Sequence, residues 1–457
     1  MAASGAVGPT LHNGSRVAVV GGGPAGAFFG CFILDAAKQA GLDIAVDIFE
    51  PRDFHLSGPA GCNMCGGILS EPLVDHLATE GIELPANVVQ RAIDSYVLHT
   101  DVGSVRIKSP LCTSRIGVVH RGAGPRGIKE IKWGSLDSHL FELAQSKGAT
   151  GIRDKIVEFG WDGERPRVRS RDGVTRDYDL LVVAVGVNST ALKLLPRLEP
   201  GYNPPHVSRT VTREYYLGAE QVGRSLGDAM HIFLLNIARL EFAAIIPKGD
   251  YATVCLLGDD IDDALMRTFL DRPEVRGIMP SGWQPEDISC HCQPHINVRA
   301  AIQPFTDRVV FIGDCATSRL YKDGIGAAYS TAKAAATTAV FHGISANAFR
   351  RHYWPTCRAM AHDNRFGKLS FAITGMIQKH RFMRRALVRM AAMEQGLEHH
   401  PGRVSVMLWD MFTGSAPYRK IFFRGLHPAF LARFAWSMMH RRPSQAGEDA
   451  IPAVSRV

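Results

Sequence analysis

Gly21, Gly23 and Gly26 stand in the spacing G-x-G-x-x-G, between the apolar run Val17-Ala18-Val19-Val20 and a stretch from Ala25 to Ala40 that carries only Asp35 and Lys38 as charges. The chemistry this spacing permits is pyrophosphate binding. The first glycine allows a sharp turn, the second lets phosphates approach the backbone, and the third lets helix and strand pack closely. With Ala25 at the helix start, free N–H groups and the positive end of the helix dipole face the anion. A second apolar run, Ile44 to Phe49, ends in Glu50, where a carboxylate can accept ribose hydroxyls.

Two further places carry chemistry. Gly313-Asp314 closes the buried-strand pattern that begins at Arg308, and Lys322-Asp323-Gly324-Ile325-Gly326 opens an alanine-rich helix running to about Val340. A carboxylate at a strand end can hold the hydroxyls of a ribityl chain, and a helix N-terminus can stabilise negative charge on a reduced isoalloxazine. Cysteines suggest a metal, because Cys62 and Cys65 form C-x-x-C and Cys290-His291-Cys292 with His295 forms a second group. More than two hundred residues separate the two groups, and no metal site is expected. A redox pair at Cys62 and Cys65 and plain packing of small residues both remain open.

These residues need elements to position them. Strand, glycine turn, helix, strand and carboxylate follow one another from Arg16 to Glu50, and Asp179 to Gly186 is another buried strand that meets a glycine. Leu136 to Gly148 has helical periodicity. Val88 to Val119 and Ser208 to Val298 alternate as antiparallel strands do, with a helix expected near Asp260 to Leu270. Ser57 to Ser70 is too rich in glycine and proline for a regular element, and Ser70 is placed to cap a helix from Glu71 to Thr79. The fold class expected is α/β: a Rossmann-like FAD-binding domain with an interleaved antiparallel-sheet substrate domain and a helical C-terminal extension. Its pieces are 16–87, 132–200 and 299–345 for the first domain, 88–131 and 201–298 for the second, 346–443 for the extension, and flexible ends at 1–15 and 444–457.

The 457 residues, 46% of them apolar, suffice for two or three packed units. No basic-then-apolar leader and no spanning run of eighteen apolar residues is seen, and nine cysteines without framework spacing suit a reducing compartment. The expected location is cytoplasmic, peripheral to the inner face of a membrane. Between Arg350 and Pro443 there are 17 Lys and Arg against 4 Asp and Glu, whereas the formal charge of the whole chain is +8. This tail mixes cations with Phe382, Leu387, Phe422, Phe423, Phe430, Phe434 and Trp436. Such segments either lie in a bilayer interface or cap the substrate domain with their basic faces in water. No nucleic-acid module accompanies the charge.

The three glycine-bearing pieces together resemble flavoproteins with the hydroxybenzoate-hydroxylase type of FAD domain, and more specifically the geranylgeranyl reductase family. Cys65-Gly66-Gly67-Ile68-Leu69-Ser70 looks like that family's Cys-Gly-Gly-x-Leu-Ser loop, Leu136-Asp137-Ser138-His139-Leu140 like its Phe-Asp-x-x-Leu helix start, and Ile246-Pro247-Lys248-Gly249-Asp250 like its Phe-Pro-Lys-Gly-Asp strand. The resemblance covers about Arg16 to Val340. It implies FAD held by Gly21, Gly23, Ala25, Gly26, Glu50, Gly66, Gly67, Gly186, Gly313, Asp314, Gly324 and Ile325, with Cys65 on the active face. Phe242 and Ala244 stand where the family has tunnel-lining Tyr and Trp, and Trp133 stands where it has a flavin-contacting Arg. The implied reaction is hydride transfer from reduced flavin to a carbon–carbon double bond of an isoprenoid or other lipid. Alternatives are an FAD-dependent monooxygenase of an aromatic or lipid substrate and a membrane-associated electron relay. With one dinucleotide motif in full context, the reductant is a transiently docked NAD(P)H or a protein electron carrier.

Overall fold

The computed structural model describes residues 8–62, 65–110, 116–128, 132–199, 201–395 and 402–439, so the end expected to be loose at 444–457 lies outside the described residues. Val17 to Val20 carry apolar side chains on both faces, and the strand Ser15–Val20 is correspondingly buried at the centre of a six-stranded sheet. It pairs in parallel with Ile44–Phe49 on one side and Leu180–Val183 on the other. Val309–Phe311 joins Leu180–Val183 in parallel, Phe305–Thr306 runs antiparallel at one edge, and Thr150–Ile152 closes the other. The strands separated most in sequence therefore share one sheet.

Behind that sheet the helices Pro24–Ala40 and Gly324–Phe341 pack against each other. Alanines at 327, 328, 332, 335, 336 and 339 let the backbones approach, and Phe28 and Phe32 meet the edge of Tyr329. Phe28 and Phe29 are fully buried, each worth about 2–3 kcal/mol of transfer free energy.

A seven-stranded sheet runs in the order Cys290–Cys292, Val211–Tyr216, Tyr251–Gly258, Leu240–Lys248, Ala229–Phe233, Ser95–Thr100, Gly103–Lys108. Its pairs are antiparallel except Ala229–Phe233 with Ser95–Thr100. Two points depart from the alternation pattern. Val89–Ile93 and Ile116–Val119 leave this sheet and pair with each other, and Ile116–Val119 also pairs with Ile68–Leu69, because alternation fixes faces but not partners. The helix Ala219–Ser225 interrupts the expected strands after Gly218, whose φ is +80°. The helix expected near 260–270 spans Asp263–Leu270, with the Asp262 side chain accepting from the Leu265 N–H.

Ser70 precedes the helix Glu71–Thr79, but its hydroxyl does not cap that helix; it donates to Asp323 at 2.8 Å. A nearby carboxylate is the stronger acceptor.

The C-terminal helices, Trp354–Lys379, Arg381–Gln395, Arg403–Thr413, Tyr418–Gly425 and Pro428–Met439, cover one face of the seven-stranded sheet. Phe371, Leu387, Met390, Trp409, Phe412 and Tyr418 share a core with Tyr96, Leu98, Ile107, Ile232 and Phe242. The helix Asp263–Leu270 covers the opposite face. Arg384, in the basic stretch, is buried and pairs with Asp101.

Candidate active site

The glycine turn is built by close approach. Gly21 has φ +107°, and a Cβ there would lie 2.4 Å from the Ala184 carbonyl oxygen; a Cβ on Gly26 would lie 1.8 Å from that of Gly21. Only glycine fits at either position. Gly23 precedes the helix, whose first turn holds no acidic residue, leaving its amides and dipole to an anion. Ala25 is buried, and a Cβ on Gly313 would meet its Cβ at 2.7 Å, so Gly313-Asp314 abuts the same helix start. The Gly313 N–H donates to the Thr331 hydroxyl at 2.9 Å, which ties in the helix Gly324–Phe341. Glu50 is buried beside the turn, accepting from the Gly22 N–H at 2.9 Å and from the Arg52 N–H at 3.0 Å. Gly186, with φ +69°, lies just past the strand Leu180–Val183. Remote pieces of chain therefore meet: the helix start at Ala25, Gly313 and the helix Gly324–Phe341.

Asp314 follows Gly313 beside that helix start. Burial pushes its carboxyl up from the ordinary range, opposed by Ser318 and the charge of Arg121. Farther on, Gly324 is exposed at the helix start and Ile325 is buried behind it. Asp323, the preceding residue, sits in the left-handed region at φ +52° and is held by Ser70 and by Arg319 at 3.1 Å.

The loop of Cys65, Gly66 and Gly67 lies against the seven-stranded sheet. A Cβ on Gly67 would be 1.9 Å from the Val119 carbonyl and 3.3 Å from Lys248 Nζ, and one on Gly66 would be 3.4 Å from Cys255 Sγ. Sequence reasoning missed Arg121. It follows the buried strand Ile116–Val119, forms a two-armed ion pair with the fully buried Asp137, with one arm at 3.0 Å, and donates to Cys65. The resemblance directed attention to position 133, yet Trp133 stands beside Gly249, and Arg121 is the guanidinium at this site. The available signal was an Arg-Gly pair directly after a strand.

Lys248 is buried to 2% exposure, with Glu214 at 3.1 Å. Burial opposes its charge, but Glu214, with Cys255 and Cys65, holds its ionisation above the ordinary lysine value. Burial and then the charge of Lys248 keep His120 neutral. Glu214 Oε2 has no hydrogen-bond partner, although the atom is buried. These groups, with Cys62, Cys65, Arg121, Cys290 and Cys292, line one cleft. It carries fixed charges of both signs beside several thiols. No group of three metal-ligating side chains forms among the described residues.

Phe242 and Ala244 lie on the same sheet, one strand inward from Cys255. Phe242 is 5% exposed and packs against Phe371 and Phe412 of the C-terminal helices, with ring centroids 5.8 and 5.2 Å away. The expected tunnel position is thus flanked by residues the resemblance does not reach.

Those helices also brace the site. Trp409 and Ser415 donate to Glu71, Lys322 donates to the Asp410 and Ala416 carbonyls, and Asn364 bridges Leu320 N–H and Ser318 C=O. The Tyr418 hydroxyl donates to the Leu320 carbonyl. The segment from Ser318 to Asp323 is thereby fixed from outside.

No protein-family model and no curated protein matches this sequence. Solved structures do. A geranylgeranyl bacteriochlorophyll reductase-like protein from Thermoplasma acidophilum aligns over 91% of this chain and 99% of its own, with TM-score 0.62 and 16% identity. The p-nitrophenol 4-monooxygenase of Pseudomonas putida aligns over 94% and 100%, with TM-score 0.54 and 15% identity. A halogenase variant in complex with FAD aligns over 93% and 91%, with TM-score 0.58 and 11% identity. The chain shares their fold.

Proposed function

We propose that this chain is an FAD-dependent oxidoreductase that reduces carbon–carbon double bonds of an isoprenoid or similar lipid. One observation carries the reading: Gly313-Asp314 abuts the helix start behind the glycine turn and is tied to the helix Gly324–Phe341, and Arg121, whose charge acts on Asp314, lines the cleft of Lys248 and Glu214. The residues fit FAD. Gly21, Gly23 and Gly26 would take the pyrophosphate, Glu50 the ribose, Asp314 the ribityl hydroxyls, and Gly66, Gly67, Gly324 and Ile325 the ring. FAD held there would supply hydride chemistry toward one carbon of a carbon–carbon double bond. Lys248, kept protonated by Glu214, is the proton source for the other carbon. Ala244 and Ile246 lie on the sheet face that carries Lys248 and belong to an apolar cluster beside that cleft.

The substrate source we assign is a membrane. No described helix is long and apolar enough to cross one. Leu369, Ile373 and Met376 are exposed along one stripe of the helix Trp354–Lys379, with exposed Arg365, Lys368 and Lys379 interleaved. The acidic side chains described in this region, Asp363, Glu394 and Asp410, are engaged with the Tyr418 and Arg419 amides, the Val404 and Ser405 amides, and Arg424. The outer face is left cationic and apolar, as an anionic bilayer requires. Ile373→Ser with Met376→Ser should reduce flotation with anionic liposomes; unchanged flotation discards the membrane assignment.

The deciding experiment is anaerobic incubation of reduced enzyme with polyprenyl lipids, read by mass spectrometry for added hydrogen pairs. Saturated product supports the reductase. A product formed only with oxygen, and carrying oxygen, replaces it with the monooxygenase reading that the likeness to a monooxygenase keeps in view.

A further inference from the structure

The helix start assigned to the flavin ring already carries an acidic side chain of its own. Asp323 directly precedes Gly324, and its carboxyl lies across the first helical turn: a Cβ on Gly326 would be 2.4 Å from Asp323 Oδ1 and 2.5 Å from Oδ2. Three separate segments hold it there. The Ser70 hydroxyl, from the end of the loop that carries Gly66 and Gly67, donates to Oδ1 at 2.8 Å, and Arg319 donates to Oδ2 at 3.1 Å. Arg319 also donates to the Gly414 carbonyl at 3.3 Å, and a Cβ on Gly414 would be 3.2 Å from that of Asp323. The Asp323 side chain is 8% exposed. Capping alone does not call for a titratable group, since Asn or Ser caps as well as Asp.

We propose that Asp323 takes up a proton when the flavin is reduced, so that electrons on the ring and a proton on the chain arrive together at this helix start. The inference rests on the FAD reading above, which sets the ring against Gly324 and Ile325. A hydride donor of the nicotinamide class adds two electrons and one proton to the ring, which then carries one negative charge. That charge stands beside the Asp323 carboxylate, and like charges in a buried place raise a carboxyl's affinity for a proton. One proton from solvent then binds Asp323, so ring and carboxyl together gain two electrons and two protons. Burial already lifts the Asp323 carboxyl above its ordinary range, opposed by Arg319, Ser70 and Lys322. From the C-terminal helices Tyr418 faces it, kept protonated by burial, and Asp363 and Asp410 lie beyond Lys322.

The test uses the full chain with FAD bound. Reduced-minus-oxidised infrared spectra should show a protonated-carboxyl band in the wild type, shifted in deuterium oxide, and none in Asp323→Asn. Asn caps as Asp does and tolerates the φ of +52°, so this variant suits the fold. Its flavin midpoint potential should lie above that of the wild type at alkaline pH. The gap should close as pH falls, by up to tenfold in the reduction equilibrium per pH unit, about 30 mV. Lys322 titrates in both proteins and cancels from the gap. Should Asp323→Asn fail to fold, Ser70→Ala removes one donor to the carboxylate and should move the proton-uptake window to higher pH. No band, the same band in Asp323→Asn, a gap constant from about pH 5 to 9, or an unmoved window in Ser70→Ala overturns the coupling. Protein that stays colourless with added FAD defeats the FAD reading and the coupling with it; yellow protein without the band defeats the coupling alone.

Discussion

Trp409, far downstream of the cleft loop, donates its indole N–H to Glu71 at 3.2 Å, and Glu71 directly follows the loop from Cys65 to Ser70. A helix outside the resemblance to known families thus holds the loop that the resemblance identified. Trp409→Phe keeps the ring in its core but removes the donor, leaving Ser415 as partner of the carboxylate. It should cost about 1–3 kcal/mol and speed flavin release. Thermal unfolding and a flavin-release assay check both; an unchanged release rate removes the brace from the functional argument.

Gly26→Ala should give colourless protein, because its Cβ would fall 1.8 Å from a backbone oxygen that cannot withdraw. Gly186→Ala is the contrast: φ is +69° but nothing lies within 4 Å, so it should cost about 1 kcal/mol and keep its colour. The flavin-to-protein absorbance ratio separates the two.

Arg121→Ala removes the guanidinium paired with Asp137, a carboxylate with no exposed surface. The expected destabilisation is about 3–5 kcal/mol. Asp137→Asn in the same background should recover part of it, since the buried negative charge is gone; calorimetry of the single and double variants reads the recovery.

Glu214→Gln tests the proton source. Glu214 is among the groups that raise the Lys248 ionisation, so its loss lowers it. Protonated Lys248 is the active form, and activity falls as pH rises through its pKa. The alkaline limb of kcat/KM should therefore move to lower pH in the variant. A limb that stays in place means that Lys248 is not the acid.

Lys322 offers a stability counterpart. Burial, with the charge of Arg319, pulls it from 10.5 down to about 7. Between those values the unfolded chain holds the extra proton, so stability rises with pH across this window and is lost as pH falls toward 7. Relative to Lys322→Met, the wild type should gain up to about 1.4 kcal/mol per pH unit from pH 7 to 10.5. Parallel curves of Tm against pH would show that Lys322 stays charged in the fold.

This brace also changes how the tail should be probed. Cutting the chain near Ser345 strips Trp409, Phe412 and Tyr418 from the core they share with Tyr96 and Phe242, so loss of liposome binding would follow from unfolding alone. Point substitutions at Ile373 and Met376, both exposed, avoid that confusion.

The strand of Val17 to Val20, the glycine turn and Glu50 were legible from residue order because strand, turn and helix are neighbours in the chain. The same holds for Asp179 to Gly186 and for Gly313-Asp314, whose strands repeat the pattern of a doubly buried parallel strand. Arg121 was not legible, since its partners Asp137 and Cys65 are set by the packing of separate segments. Ser70 misled for the same reason: local pattern indicates a cap, and a carboxylate 253 positions away wins the hydroxyl. By itself the sequence determined the Rossmann-like half and the backbone positions where only glycine fits, because periodicity and steric limits act locally. Tertiary structure alone brought Cys62 and Cys292 to one cleft, set Lys248 against Glu214 and turned the basic tail into part of the core. Strand register and long-range packing leave no mark at any single position of the chain.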